Sequence, residues 1–326
     1  MIGRVAAVTD PGRRRRRNED SYVIEPPLFA IADGMGGAQA GEVASRLATV
    51  ALKESGTEAS GEERIIDLIQ EANRRVYDRS STDPNTSGMG TTITVAVVED
   101  ERVAFGHVGD SRAYLIREAT MEQLTEDHSL VNELLKTGRL SREEAETHPQ
   151  RSVITRALGT DPDVDVDTFT IAAREGDLFL LCSDGLTDMV SEDSILSVVE
   201  RNRDDISGAL RALVRAANKA GGEDNITVVA FEIGDEALAR DGDTLEQARP
   251  AVTASDDEVT LTEADAVPTV DTMVVPAEEI QTELLVEEGE NGAIRRRHLR
   301  RRIVAWLVVL LLLAAAALVL YLRFLR

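Results

Sequence analysis

The stretch TITVAVVEDERVAFGHVGDSRAYLIR, residues 92–117, holds three short apolar runs in a row, at 92–98, 102–108 and 112–117. Each is rich in β-branched or aromatic residues and is bounded by charged or glycine-containing breaks, the pattern of strands. Outward from it, similar runs stand at 4–9 (RVAAVT), 28–32 (LFAIA), 177–182 (DLFLLC) and 226–233 (ITVVAFEI). Helical periodicity shows at 41–54, 62–79, 129–137 and 206–220. Ser141 with Glu144 makes a capping box for a short helix at 142–147. Strands that arrive in consecutive groups, with helices set apart, predict antiparallel sheet and an α+β body rather than a doubly wound one.

The chain of 326 residues carries 59 acidic and 36 basic side chains, a net charge of −23, and is 43% hydrophobic. That apolar share supports a packed core. A charge so negative argues against nucleic acid as a partner, because phosphates demand cations. Cys182 is the single cysteine, which excludes an intrachain disulfide framework and cysteine-ligated clusters and fits a reducing, intracellular compartment.

The charge is unevenly spread. Residues 1–234 hold 42 acidic and 26 basic side chains, 235–294 hold 17 and two, and 295–326 hold eight arginines and no acid. The acidic segment 235–294 has Pro250, Pro268 and Pro276, no aromatic residue and no sustained apolar period. Such a chain buries too little apolar surface to offset its ordering entropy, so it is expected to be a disordered tether spanning roughly 40–50 Å. Thr260, Thr262, Thr269, Thr272 and Thr282 lie in it as phosphorylation candidates, although a plain solvated spacer explains them as well.

An arginine-rich segment, 295–302, then leads into Ile303–Leu322, an apolar run without charge, Pro or Gly, before a short tail at 323–326. As a helix, the run is about 30 Å long, the thickness of a bilayer's hydrocarbon core. Six arginines precede it and two follow, and Trp306 and Tyr321 stand near its ends. The positive-inside rule then places the body on the cytoplasmic face of a cell membrane, anchored by a single span. The N-terminal MIGRVAAVTDPG has no apolar stretch long enough for a signal peptide.

Acidic residues collect where the strands end. Asn18-Glu19-Asp20 closes the first polar unit; Asp33-Gly34 follows LFAIA; Gly109-Asp110 follows RVAFGHV; Ser183-Asp184-Gly185 follows DLFLLC; and Gly222-Glu223-Asp224 precedes the last strand. A single Asp-Gly reads as an ordinary turn. Five such positions favour a hard divalent cation, which takes carboxylate and carbonyl oxygens and offsets their mutual repulsion.

Six strings in order, R-x-x-N-E-D-S (15–21), A-D-G-M-G-G (32–37), G-T-T (90–92), V-G-D-S-R-A-Y (108–114), L-C-S-D-G-L (181–186) and G-E-D-N-I-T (222–227), resemble the metal-dependent serine/threonine protein phosphatases of type 2C, in particular the bacterial branch. The resemblance covers the whole body, 1–234. It implies a four-layer α-β-β-α sandwich of two antiparallel sheets flanked by helices. It also implies two Mn²⁺ or Mg²⁺ ions at one edge, with a third, weaker site, hydrolysing phosphomonoesters with an activated water. Carried over, Asp33 bridges both ions and the Gly34 carbonyl binds one of them. Asp184 and Asp224 hold the other, Asp20 acts through water beside Glu19, and Asp110 marks the third site. Arg15 is the implied phosphate clamp, here inside an unbroken Arg13–Arg17 run that reads otherwise as a solvated basic loop or a dock for the acidic tether. The implied partners are proteins phosphorylated on Ser or Thr, Ser/Thr kinases among them.

Met35 stands where other branches have a histidine and cannot pass a proton. His128 and His148 flank the segment 129–147, which resembles the family's flap; each reads either as a leaving-group acid or as a structural histidine. His107 and Cys182 read as core. Three functions stay open: an active membrane-tethered phosphoprotein phosphatase, a silent phosphoprotein-binding module, and a phosphatase of small metabolites. Intact Asp33, Asp184 and Asp224 speak against the second.

Overall fold

The computed structural model describes residues 2–36, 40–146, 148–234 and 273–274. Its strands are β1 (Ile2–Asp10), β2 (Asp20–Glu25), β3 (Leu28–Met35), β4 (Gly90–Thr91), β5 (Ile93–Glu99), β6 (Arg102–Val108), β7 (Arg112–Arg117) and β8 (Thr120–Gln123). There follow β9 (Val153–Ile154), β10 (Asp167–Ala172), β11 (Leu178–Cys182), β12 (Ile226–Ile233) and β13 (Met273–Val274). The helices are α1 (Ala40–Glu54), α2 (Gly61–Thr82), α3 (Leu130–Lys136), α4 (Arg142–Glu146), α5 (Asp184–Thr187), α6 (Glu192–Arg201) and α7 (Ile206–Ala220).

Two antiparallel sheets carry the body. One has the order β1-β12-β11-β7-β8; the other runs β10-β6-β5-β3-β2, with β4 added beside β3. The expected consecutive strands β5, β6 and β7 are all present, but the chain leaves one sheet for the other between β6 and β7. Local sequence pattern carries no sign of that switch.

Period-2 alternation builds the layers. On β12, Val228 and Ala230 face α6 and α7, packing with Ile195, Leu210 and Leu213, while Val229 and Phe231 face the opposite sheet. On β5, Val95 and Val97 face α1 and α2, packing with Ala44, Ile65 and Ile69, while Ala96 and Val98 face inward. The order is therefore helices, sheet, sheet, helices, the four-layer sandwich that the resemblance implies. Phe29 stacks on Phe231 between the sheets at 4.1 Å, and Phe179 lies 5.1 Å from Phe231 and 5.6 Å from Phe105. Each such pair contributes about 0.5–1.5 kcal/mol beyond its buried area.

Ser141 and Glu144 form the expected capping box: the Ser141 N–H donates to Glu144 Oε2 at 2.8 Å and the Glu144 N–H to Ser141 Oγ at 3.3 Å. Strands β2, β8 and β10 and helix α6 were not legible in the sequence. The first three lie toward sheet edges, where half-exposed residues blur the apolar pattern.

Among the described residues no helix is long and apolar enough to cross a membrane. The expected span 303–322, the arginine segment 295–302, the tail 323–326 and most of the acidic segment lie outside them. Within that segment Met273–Val274 departs from the expected disorder and forms β13, paired parallel to β9. The pair belongs to the apolar run Met273-Val274-Val275 between Asp271 and Pro276.

Candidate active site

Register brings the acidic positions to one edge of the sandwich. Asp20 pairs with Asp33 across β2 and β3, and Ile93 with Val108, so Asp110 follows at the same end. In the other sheet Arg112 and Val228 both flank Cys182, which aligns the start of β7, the end of β11 and the start of β12. Asp110, Asp184 and Asp224 therefore emerge beside Asp20 and Asp33, all half-buried.

The six motifs hold this edge together. Thr91 Oγ1 and the Thr92 N–H both donate to the Asp33 carbonyl at 2.8 Å. Thr92 Oγ1 pairs with Ser111 Oγ at 2.9 Å, which ties the Asp33 strand to the Asp110 turn. A Cβ on Gly34 would lie 2.0 Å from the Gly41 carbonyl oxygen, so only glycine lets β3 run this close to α1. Likewise a Cβ on Gly185 would lie 2.0 Å from the Asn225 carbonyl oxygen, where the Asp184 and Asp224 turns meet.

Asp20 is fixed from one side. Ser183 Oγ and Thr227 Oγ1 both donate to its Oδ2, at 3.0 and 2.5 Å. Because the Thr227 hydroxyl is spent there, Thr9 Oγ1 must donate to Thr227 at 2.7 Å, and it in turn accepts from Asn18 Nδ2. The other oxygen, Asp20 Oδ1, and Asp184 Oδ1 are buried without a hydrogen-bond partner among the described residues. Orphaned carboxylate oxygens aimed into a shared edge are the donor chemistry a hard cation takes.

The electrostatics agree. Burial raises Asp33 well above the ordinary carboxylate range, and the charges of Asp20, Asp184, Asp224 and Asp110 raise it further. Burial likewise raises Asp184, reinforced by Asp110 and Asp224. Burial pushes Asp20 up to about 7, against the Thr227 and Ser183 hydrogen bonds, and takes Asp110 to about 7 with help from Asp127 and Asp188. Burial is the first cause of each shift, and the charges of neighbouring carboxylates add to it. Among the described residues no three His, Cys, Asp or Glu side chains enclose an ion by themselves. An ion here would complete its octahedron with waters and a backbone carbonyl.

Arg15 is set apart from its run. The loop 11–19 is stapled to the last turn before β12: the Arg13 and Arg14 N–H groups donate to the Gly222 carbonyl, and Asn225 Nδ2 donates to the Pro11 and Arg17 carbonyls. Arg13, Arg14, Arg16 and Arg17 are exposed, whereas Arg15 is half-buried and its Nη2–H donates to Asp224 Oδ2 at 2.8 Å. Glu19 donates its backbone N–H to Asn225 Oδ1 and accepts at its carbonyl from the Gly34 N–H.

Thus Arg15, Glu19, Asp20, Asp33, Gly34, Asp110, Asp184 and Asp224 all reach one edge. The residues that hold them, Thr92, Ser183, Asn225 and Thr227, escaped the sequence reading, although each lies inside or beside a quoted motif. Arg112 is structural: it grips Asp127 with Nε and Nη2 at 2.9 and 2.6 Å.

His128 resolves as structural too. The Gly109 N–H donates to its Nδ1 at 3.0 Å, and its Nε2 lies 3.1 Å from both Asp167 Oδ2 and Arg156 Nη1. Burial and then the Arg156 charge lower its pKa, against the raising effect of Asp167. His107 is fully buried, its Nδ1 on Thr94 Oγ1, and burial takes it down to about 3. Burial pushes Cys182 up to about 12, which removes it as a nucleophile.

This edge can be set beside known proteins. A family model described as protein phosphatase 2C matches residues 17–227. The serine/threonine phosphatase stp of Listeria monocytogenes is 41% identical over 236 residues, 69% of this chain and 93% of that protein. A crystal structure of the Mycobacterium tuberculosis serine/threonine phosphatase PstP/Ppp superposes with TM-score 0.68 at 37% identity, covering 72% of this chain and 100% of that one. The PstP catalytic domain in complex with two manganese ions gives 0.66 at 36%, covering 72% and 99%. The family match spans the strand ends that carry Asp20, Asp33, Asp110, Asp184 and Asp224, and the chain belongs to the protein phosphatase 2C family and is a serine/threonine phosphatase.

Proposed function

We propose that the body is the catalytic domain of a membrane-tethered phosphatase that removes phosphate from Ser and Thr of proteins at the cytoplasmic face, Ser/Thr kinases among them. The observation that carries the chemistry is the convergence of Asp20, Asp33, Asp110, Asp184 and Asp224, two of them with an orphaned oxygen, around Arg15. The tether is supported by the apolar run Ile303–Leu322 and the arginines before it.

The residues suit two Mn²⁺ or Mg²⁺ ions. Asp33 would bridge them and the Gly34 carbonyl would bind one. Asp184 and Asp224 would hold the other, Asp20 would act through water beside Glu19, and Asp110 would take a third. Such ions supply charge neutralisation on the phosphoryl oxygens and a lowered pKa for the attacking water. Arg15 has five N–H donors in a fork, so one N–H on Asp224 leaves an edge for phosphoryl oxygens. Ser183 and Thr227 keep Asp20 oriented, and Thr91 and Thr92 fix the Asp33 backbone. His128 is committed to Gly109 and Asp167, so water or another residue must protonate the leaving alkoxide.

The test is phosphate release by the full-length chain from a phosphothreonine peptide and from a small phosphomonoester, with Mn²⁺ or EDTA, beside an Asp33→Asn variant. Mn²⁺-dependent release that favours the peptide and is lost in EDTA and in the variant is expected. Turnover that survives Asp33→Asn would overturn the site, and a preference for the small ester would overturn the substrate class. Membrane sedimentation that is unaffected by deleting 303–322 would remove the tether.

A further inference from the structure

Strand β13 pairs with β9, beside the active-site mouth. Met273 lies opposite Val153 and Val274 opposite Ile154, in parallel register. The segment that contains β9 closes over the acidic edge at three points. Arg151 reaches Asp188 at 3.4 Å and Glu223 at 3.7 Å, next to the Asp184 and Asp224 turns. Ile154 is fully buried with Met35 and Ala157, two residues beyond Asp33. Leu158 bridges Thr91, whose hydroxyl holds the Asp33 carbonyl.

On its other side β9 is met by a single bridge, Ile154 to Ser129. A strand this short that still presents an edge is a template for strand addition by an extended peptide. The linker has a sequence suited to it: Asp271-Thr272-Met273-Val274-Val275-Pro276 combines an apolar, β-branched centre with an acidic start and a proline, a residue that cannot donate to a ladder. The 38 residues between Gly234 and Met273 could reach up to roughly 125 Å when extended, so chain length does not limit the contact.

We propose that the β9 edge is a peptide-docking edge of the active site, and that its resident occupant in this chain is its own linker strand Met273–Val274. A phosphopeptide that approaches the metal site along β9 must displace that segment; a small phosphomonoester need not. The substrate half of this proposal rests on the phosphoprotein reading above, whereas the docking half does not. A segment tethered by a linker acts at an effective concentration in the millimolar range, so even weak docking raises the apparent KM for peptides by about 2- to 10-fold.

The experiment compares the full-length chain with a Met273→Asp/Val274→Asp variant and a conservative Val274→Ile variant. Amide hydrogen exchange over residues 151–156 is read by mass spectrometry, with KM for a phosphothreonine peptide and for a small phosphomonoester alongside. Expected are faster exchange at 151–156 and a 2- to 10-fold lower peptide KM in the double variant alone, with the small ester unchanged. Unchanged exchange overturns the docking, whatever the activity. Faster exchange with an unchanged peptide KM overturns the role of the edge in substrate access. Protection in the parent that fades on dilution assigns the edge to a second copy and overturns the resident segment. A parent that turns over no phosphopeptide would instead contradict the proposed function, and the exchange result would still decide the docking.

Discussion

Replacing Asp184 with Asn should stabilise the metal-free protein while abolishing its activity. The Asp184 carboxylate stands among Asp110, Asp224, Asp188 and Asp20, and burial together with their charges holds its pKa well above the ordinary range. Its Oδ1 has no hydrogen-bond partner among the described residues, so an amide of the same shape forfeits nothing there. Two like charges about 5 Å apart repel by about 3 kcal/mol at an effective dielectric near 20. Half-exposure to water reduces this to about 2 kcal/mol. For a body of this size that corresponds to a melting temperature roughly 4–8 °C higher. The sign follows from proton linkage. A carboxyl whose pKa is raised by folding binds more protons folded than unfolded, so the fold loses stability as pH rises from about 4 toward and through the raised value. The gain from Asp184→Asn should therefore be absent at about pH 4 and grow as the pH rises toward about 8. Differential scanning calorimetry of the full-length chain in mild detergent with EDTA measures it. Adding Mn²⁺ should then reverse the order, raising the parent more than the variant. A variant no more stable than the parent at about pH 8 in EDTA, or equally stabilised at both pH values, would refute the electrostatic account of this edge.

Other expectations follow from single contacts. Gly185→Ala forces a Cβ to within 2.0 Å of the Asn225 carbonyl oxygen; overpacking of about 1–3 kcal/mol should lower the melting temperature by roughly 3–10 °C, and an unchanged melting curve would mean the two turns are not in contact. Arg15→Ala should lower kcat/KM on the order of 10²-fold, and Arg15→Lys should recover only part, because an ammonium cannot make the bidentate contact; full rescue by Lys would contradict the clamp. His128→Ala removes the acceptor for the Gly109 N–H beside Asp110. It should weaken the Mn²⁺ response about 10-fold without changing the shape of the pH–rate profile, and His128→Asn should restore it. Loss of one limb of the profile would make His128 the proton donor instead.

Much of this protein could be read before folding. The runs at 102–108, 112–117 and 226–233 and the helix at 206–220 match the observed elements residue for residue, because each has a largely buried, apolar centre. The short edge strands β8 and β10 were lost for the opposite reason, since a half-exposed strand of four to six residues leaves too few buried positions to set a period. The candidate carboxylates and Arg15 were also legible, as acidic residues beside glycines at the ends of apolar runs and as one arginine of five in a motif.

The amino-acid order alone thus determined the α+β class, the separation of an acidic segment and an apolar tail from the body, and the residue types of a hard-cation site. Tertiary structure decided which residues meet. Strand register aligned Asp20 with Asp33, and the switch of sheets between β6 and β7 brought Asp110 opposite Asp184. Packing singled out Arg15 from its run by burying it against Asp224, committed His128 to the Gly109 turn, and seated Met273–Val274 beside the mouth. Local pattern reports which face of a strand is buried; which strands lie side by side depends on contacts between residues some 200 positions apart, such as Arg15 with Asp224 (|i−j| of 209), and only the closed core sets those.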